Sequence, residues 1–160
     1  MNYNKGYESK GRDNRKESYN SQESIKFIFS EKGFTDTKGN LREELMTVEA
    51  EEIAKNLKDV TTAQLRAFFN EIKALKNRLE NKESEENFEK IYPLILMIKS
   101  KVQYRYSKDK NKLGVLKNFL FAGIDRIILE KKEGKGKEAF INFAIFFETV
   151  VGYSYEYIKN

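Results

Sequence analysis

Large apolar residues recur three and four positions apart in five successive segments of this chain, and that period decides what it can fold into. The clearest case opens at Thr61. Threonine with Gln64 three residues later is a capping box, in which the hydroxyl accepts from an early backbone amide and the glutamine reaches back. Leu65, Phe68, Ile72, Leu75 and Leu79 then fall on one face of a helix. A second stripe runs Phe88, Ile91, Ile95, Ile98, Val102, from a start near Ser84, with Pro93 either kinking the helix or standing in the first turn of a restarted one. After a polar stretch from Ser107 to Lys112 come Leu113, Leu116, Leu120, Ile124 and Ile127, ending at Gly134-Lys-Gly136. Phe140, Ala144, Phe147 and Val151 mark the last helix, and Leu45, Val48, Ile53 and Leu57 an earlier one from about residue 43.

Each stripe must be buried against another, so the expected fold is all-α, a compact bundle of about five helices. Leu65, Phe68, Ile72, Ile95, Ile98, Phe119, Leu120, Phe143 and Phe147 are its expected core. Residues 1–22 hold Asn, Ser, Gly, Lys and Glu with few large apolar groups, too little to offset the entropy of ordering, and are expected to form a mobile polar tail. Residues 23–160 form the single helical domain. Ile25, Phe27, Ile28 and Phe29 suit a short helix or an anchor strand equally. Tyr153, Tyr155 and Tyr157 alternate like a strand but also suit the end of the last helix.

The chain has no Cys and no His. That removes disulfides, thiolate nucleophiles, Cys-ligated zinc, the commonest general base and the catalytic triads built on it. A carboxylate metal nuclease would need acidic residues joined by a lysine in a strand-borne site, whereas the charged spacings here are those of ordinary helix-surface pairs. The Gly134-Lys-Gly136 turn lacks the strand and spacing of a phosphate-binding loop. No catalytic residue, metal site or cofactor is expected, and the protein is read as a non-enzyme. The longest apolar runs, Leu94 to Ile98 and Phe143 to Phe147, are far short of a membrane span, and the first residues contain no apolar signal core, so a cytoplasmic location with no membrane partner is expected.

The net charge is +5, but its placement says more. Residues 43–60 carry two basic and six acidic groups, net −4, while residues 99–117 carry seven basic and one acidic, net +6. On a helix, Lys101, Arg105 and Lys108 make one row about 90° around from the Ile95, Ile98, Val102 stripe, so their stems lie against packed surface. Ordered cations suit a phosphate backbone, and the interleaved Tyr104 and Tyr106 suit unpaired bases. A solvated face with snorkelling lysines is the alternative, with the acidic stretch as a counterweight within the chain or on a neighbouring copy.

Three stretches resemble one family. Thr61-Thr-Ala-Gln-Leu-Arg66-Ala-Phe-Phe is similar to the helix opening of the small subunit of type III-A CRISPR effector complexes, the Csm small-subunit family. Leu96-Met-Ile-Lys-Ser-Lys101-Val-Gln-Tyr104-Arg-Tyr-Ser-Lys108 resembles that family's central basic stretch, and Phe140 through Glu148-Thr-Val-Val-Gly-Tyr153 its closing helix. Ser100, Lys108 and Gly152 depart from the family's usual proline, arginine and alanine. The likeness spans roughly residues 43–157. It implies a non-catalytic subunit, present in several self-associating copies along a ribonucleoprotein filament, bordering guide and target RNA and touching the large and backbone subunits. It also implies RNA binding through phosphates at Arg66, Lys101, Tyr104 and Lys108, to which the cation row adds Arg105 and Lys112. A free-standing helical RNA- or DNA-binding module and a helical protein adaptor are the other readings of the same chain.

Overall fold

The structure, a computed structural model, describes residues 26–81 and 87–159. The tail expected at 1–22 and the helix start expected near Ser84 lie outside the described residues. Six α-helices are present among them: α1 (Ile28–Lys32), α2 (Ala50–Asn56), α3 (Thr62–Glu80), α4 (Phe88–Lys108), α5 (Lys110–Lys131) and α6 (Gly136–Ser154). A π-helical turn, Leu45–Glu49, leads directly into α2. The only extended pairing among the described residues is an isolated bridge between Thr35 and Leu41. The all-α expectation holds, and the five striped segments correspond to α2 through α6.

Helices α3, α4, α5 and α6 pack as a ring: α4 lies against α3 and α5, and α6 closes the other side against the same two. The π turn and α2 cover a further side of α6, and α1 packs on α5. Helix α6 is accordingly the centre of the molecule, with Phe140, Phe146, Phe147 and Val150 fully buried. Phe119 of α5 meets Phe143 and Phe147 with ring centroids 5.5 and 5.3 Å apart. All nine expected core residues are buried.

Local chemistry explains the helix ends. The Thr61 hydroxyl accepts from the Gln64 amide at 3.1 Å, and the Gln64 side-chain oxygen accepts from the Thr61 amide at 3.0 Å. Asn87 caps α4 by accepting from the Lys90 amide at 3.1 Å. Pro93 neither stops nor restarts α4. It lies on the exposed side, where the carbonyl it leaves without an amide donor stays within reach of water. The polar stretch expected as a connection from Ser107 to Lys112 is not a loop: α4 and α5 are separated by Asp109 alone, whose φ of −148° and ψ of 65° turn the chain in one residue.

The ambiguous ends also resolve. Phe27 enters α1 in an extended conformation, and Phe27 and Phe29 point inward while Ile28 is 51% exposed. The segment is thus a single helical turn with a strand-like inward alternation. At the other end, α6 continues to Ser154 and the chain then turns. There the Tyr157 hydroxyl donates to Glu51 Oε1 at 3.0 Å. Desolvation, then the Glu51 hydrogen bond and nearby carboxylates, raise the Tyr157 phenol above its ordinary pKa.

One expected stripe member is misplaced. Val48 is 69% exposed, and Glu49 is buried instead. In a π turn each amide reaches back five residues rather than four, so the chain winds more slowly and Glu49, not Val48, returns beneath Leu45. Its carboxylate is held by the Arg42 guanidinium in a two-pronged pair at 2.6 and 3.1 Å, while Arg42 Nε donates to the Gly33 carbonyl at 3.0 Å. Burial of this acid therefore has a paired partner.

Two helical glycines give opposite expectations. A Cβ on Gly123 would run into the Phe143 ring, so α5 and α6 approach each other through this residue. A Cβ on Gly152 would meet nothing within 4 Å. Gly152→Ala should stabilise by about 0.5 to 1 kcal/mol through helix propensity. Gly123→Ala should instead destabilise by about 1 to 3 kcal/mol through overpacking. Urea unfolding of the two variants checks both; equal effects of the same sign would mean that the α5–α6 contact is looser than described.

Candidate nucleic-acid interface

The cation row stands on the last turns of α4. Its base is rigid because Ile98 and Val102 beside it are almost completely buried, and Lys101, Arg105 and Lys108 are all exposed. Lys101 forms an ion pair with Glu71 of α3. The Lys108 ammonium lies 5.2 Å from the ring centroid of Tyr104, which is 60% exposed. Arg105 is exposed and its side chain makes no hydrogen bond, ion pair or ring contact among the described residues. The same holds for the side chains of Lys110 and Lys112 in the first turn of α5, brought to this corner by the one-residue link at Asp109.

The other two cations of the segment are committed to the fold. Lys99 pairs with Asp125 at 2.6 Å and lies 4.8 Å from the Phe121 ring centroid. Lys117 lies 4.3 Å from Tyr106 and 5.4 Å from Phe121. Tyr106 is therefore occupied as a platform for lysine, whereas Tyr104 remains at the surface. With Glu71 and Asp125 counted, the local excess falls from six positive charges to four. Neither of these pairings reaches residues 43–60. The acidic α2 packs on α6, and α4 lies across the helix ring from α6, so the intramolecular counterweight is Glu71 and Asp125.

Arg66 stands apart from the row. Gln64, Ala67 and Glu71 turn toward α4, and Arg66 lies on the opposite side of α3. There its Nε donates to the Tyr155 hydroxyl at 2.7 Å and its guanidinium lies 5.4 Å from the same ring's centroid. The structure thus gathers Lys101, Tyr104, Arg105 and Lys108 on one face, sets Lys112 on the adjoining helix start, and ties Arg66 to the carboxyl-terminal turn.

Between α3 and α4 lies a cleft of about 650 Å³. Ala63, Ala67 and Phe68 form its α3 wall, Lys101, Tyr104 and Arg105 its α4 wall, and Leu113 reaches it from α5. Gln64, Glu71 and Ser100 complete the lining. These α3 residues share a helical face, but the sequence carries no signal for which helix that face meets. Among the described residues no group of acidic side chains gathers at a spacing that would hold a metal ion, and no helix is long and apolar enough to cross a membrane.

No curated protein and no solved structure matches the chain. A family model described as Csm2 Type III-A matches residues 40–160, a span that contains all three resembling stretches, the cation row and the cleft. A match over three quarters of the sequence, on an all-helical chain with those stretches in the family's order, settles membership: the chain belongs to the Csm2 Type III-A family, the small subunit of the type III-A Csm complex.

Proposed function

We propose that the protein is a non-catalytic RNA-binding subunit, several copies of which line the guide and target RNA within the cytoplasmic type III-A complex, in contact with its large and backbone subunits. The observation that carries this reading is the exposed row Lys101, Arg105, Lys108, fixed against buried Ile98 and Val102 and extended by Lys110 and Lys112. Cations on a rigid helix hold phosphates without reading bases, so binding is independent of RNA sequence. Few contacts per copy suffice, because adjacent copies on one strand act together. Arg66, bound to Tyr155, serves this reading by holding the end of α6 to α3 while leaving part of its fork open to a phosphate.

Purification from the native host separates this function from its alternatives. A guide RNA of defined length together with other subunits is the expected result. Mixed nucleic acid alone would indicate a free-standing module, and protein alone an adaptor.

Glu71 supplies a second test, because it competes with phosphate for Lys101. Glu71→Gln should relieve that competition and raise RNA affinity roughly two- to five-fold, with the dependence of log affinity on log salt close to wild type because the number of phosphate contacts is unchanged. Filter binding across a salt series reads both quantities. Weaker binding by this variant would show that the pair positions Lys101 for RNA rather than withholding it.

A further inference from the structure

We infer that the cleft between α3 and α4 seats one unpaired RNA base, whose phosphate is held by Arg105 at the rim; the inference rests on the RNA-binding reading above and adds a base-binding component to it. Its size, about 650 Å³, is within the roughly 300 to 1,000 Å³ typical of small-molecule sites and leaves room for a base with its sugar. Its chemistry is divided as a nucleotide is divided. Ala63, Ala67, Phe68 and Leu113 offer an apolar interior, Tyr104 offers an aromatic body at the mouth, and Arg105 offers beside it a guanidinium with no partner among the described residues.

Position argues for a nucleic-acid strand over a protein segment. Lys101, Tyr104 and Arg105 belong both to the cleft wall and to the cation row, so a strand tracking the row passes directly across the opening. The Lys108 ammonium lies against the Tyr104 ring and makes that end of the mouth electropositive, which suits the phosphate joined to a stacked base. Stacking is available to every base, so this site does not conflict with sequence independence.

Ala67 allows the inference to be tested without touching the cations. It is an exposed alanine on α3 that lines the cleft, and Ala67→Phe fills the space with an added ring. The full-length chain is titrated at low salt with a single-stranded RNA and with an abasic strand of the same number of phosphates. Wild type should bind the base-bearing strand about ten-fold more tightly, with equal salt slopes for the two strands. Ala67→Phe should bind both strands at the abasic level with an unchanged slope. Ala67→Leu, a smaller filler with better helix propensity, should show the same loss in part and guards against a folding defect.

Equal wild-type affinity for the two strands, with a steep salt slope, would overturn the base site and leave the phosphate row standing. Affinity for neither strand, in the chain or in the assembled complex, would overturn both. An Ala67→Phe chain that keeps its preference for bases yet fails to join the complex would give the cleft to a protein segment and overturn the inference.

Discussion

Truncation of Phe147 to alanine is expected to cost about 3 to 5 kcal/mol, a large part of the roughly 5 to 15 kcal/mol that holds a domain of this size together. Phe147 is fully buried at the middle of the central helix. Its ring lies 5.3 Å from Phe119, 5.8 Å from Phe69 and 6.1 Å from Phe143, so it joins α3, α5 and α6 at one point. Three helices cannot all close on the vacated space, and the cavity term adds to the lost transfer energy. The melting temperature should fall by about 10 °C. Phe68→Ala should lie at the lower end of the same range, because Phe68 also borders the open cleft and its removal enlarges an existing space. A loss below about 1 kcal/mol for Phe147→Ala, measured by urea unfolding, would contradict the placement of α6 at the centre.

Helix periodicity made most of this architecture legible. The stripe from Leu65 to Leu79 fixed the buried face of α3, the Thr61 and Gln64 pair fixed its start, and Phe140, Ala144, Phe147 and Val151 marked an inner face of α6, though not its central place. Periodicity fails where the helix itself changes period, which is why Val48 and Glu49 exchange places in the π turn. It also fails at Asp109, where six polar residues resemble a loop but a single unusual backbone conformation lets both helices run to the corner. The site was legible as a row of cations on one helix. Its partners were not: Glu71 and Asp125 neutralise Lys101 and Lys99 from α3 and α5, and Tyr155 engages Arg66 across 89 residues of sequence. Which helices become neighbours depends on the complementarity of whole faces, and no local spacing encodes it.

Charge reversal at Lys101, Arg105 and Lys108 is the other large expected effect, and it falls on function, the fold losing only the exposed Lys101–Glu71 pair. The three side chains are exposed and border the core without filling it, so the helical fold should persist. Reversal removes three phosphate contacts and adds three repulsive charges along the strand's path. The slope of log affinity against log salt should drop by roughly 0.7 per contact, about two in all, and binding should weaken nearly equally for every RNA sequence. Reversal of Lys38, Lys55 and Lys58, three exposed lysines away from α4, changes the net charge by the same amount and isolates position from charge. The decisive measurement is target-RNA affinity of the assembled complex across a salt series, for wild type, the α4 triple reversal and this control, with incorporation of each subunit verified. Lost retention and a flattened slope are expected for the α4 variant, with near-wild-type behaviour for the control; unchanged affinity and slope in the α4 variant would show that the row is a solvated helix face.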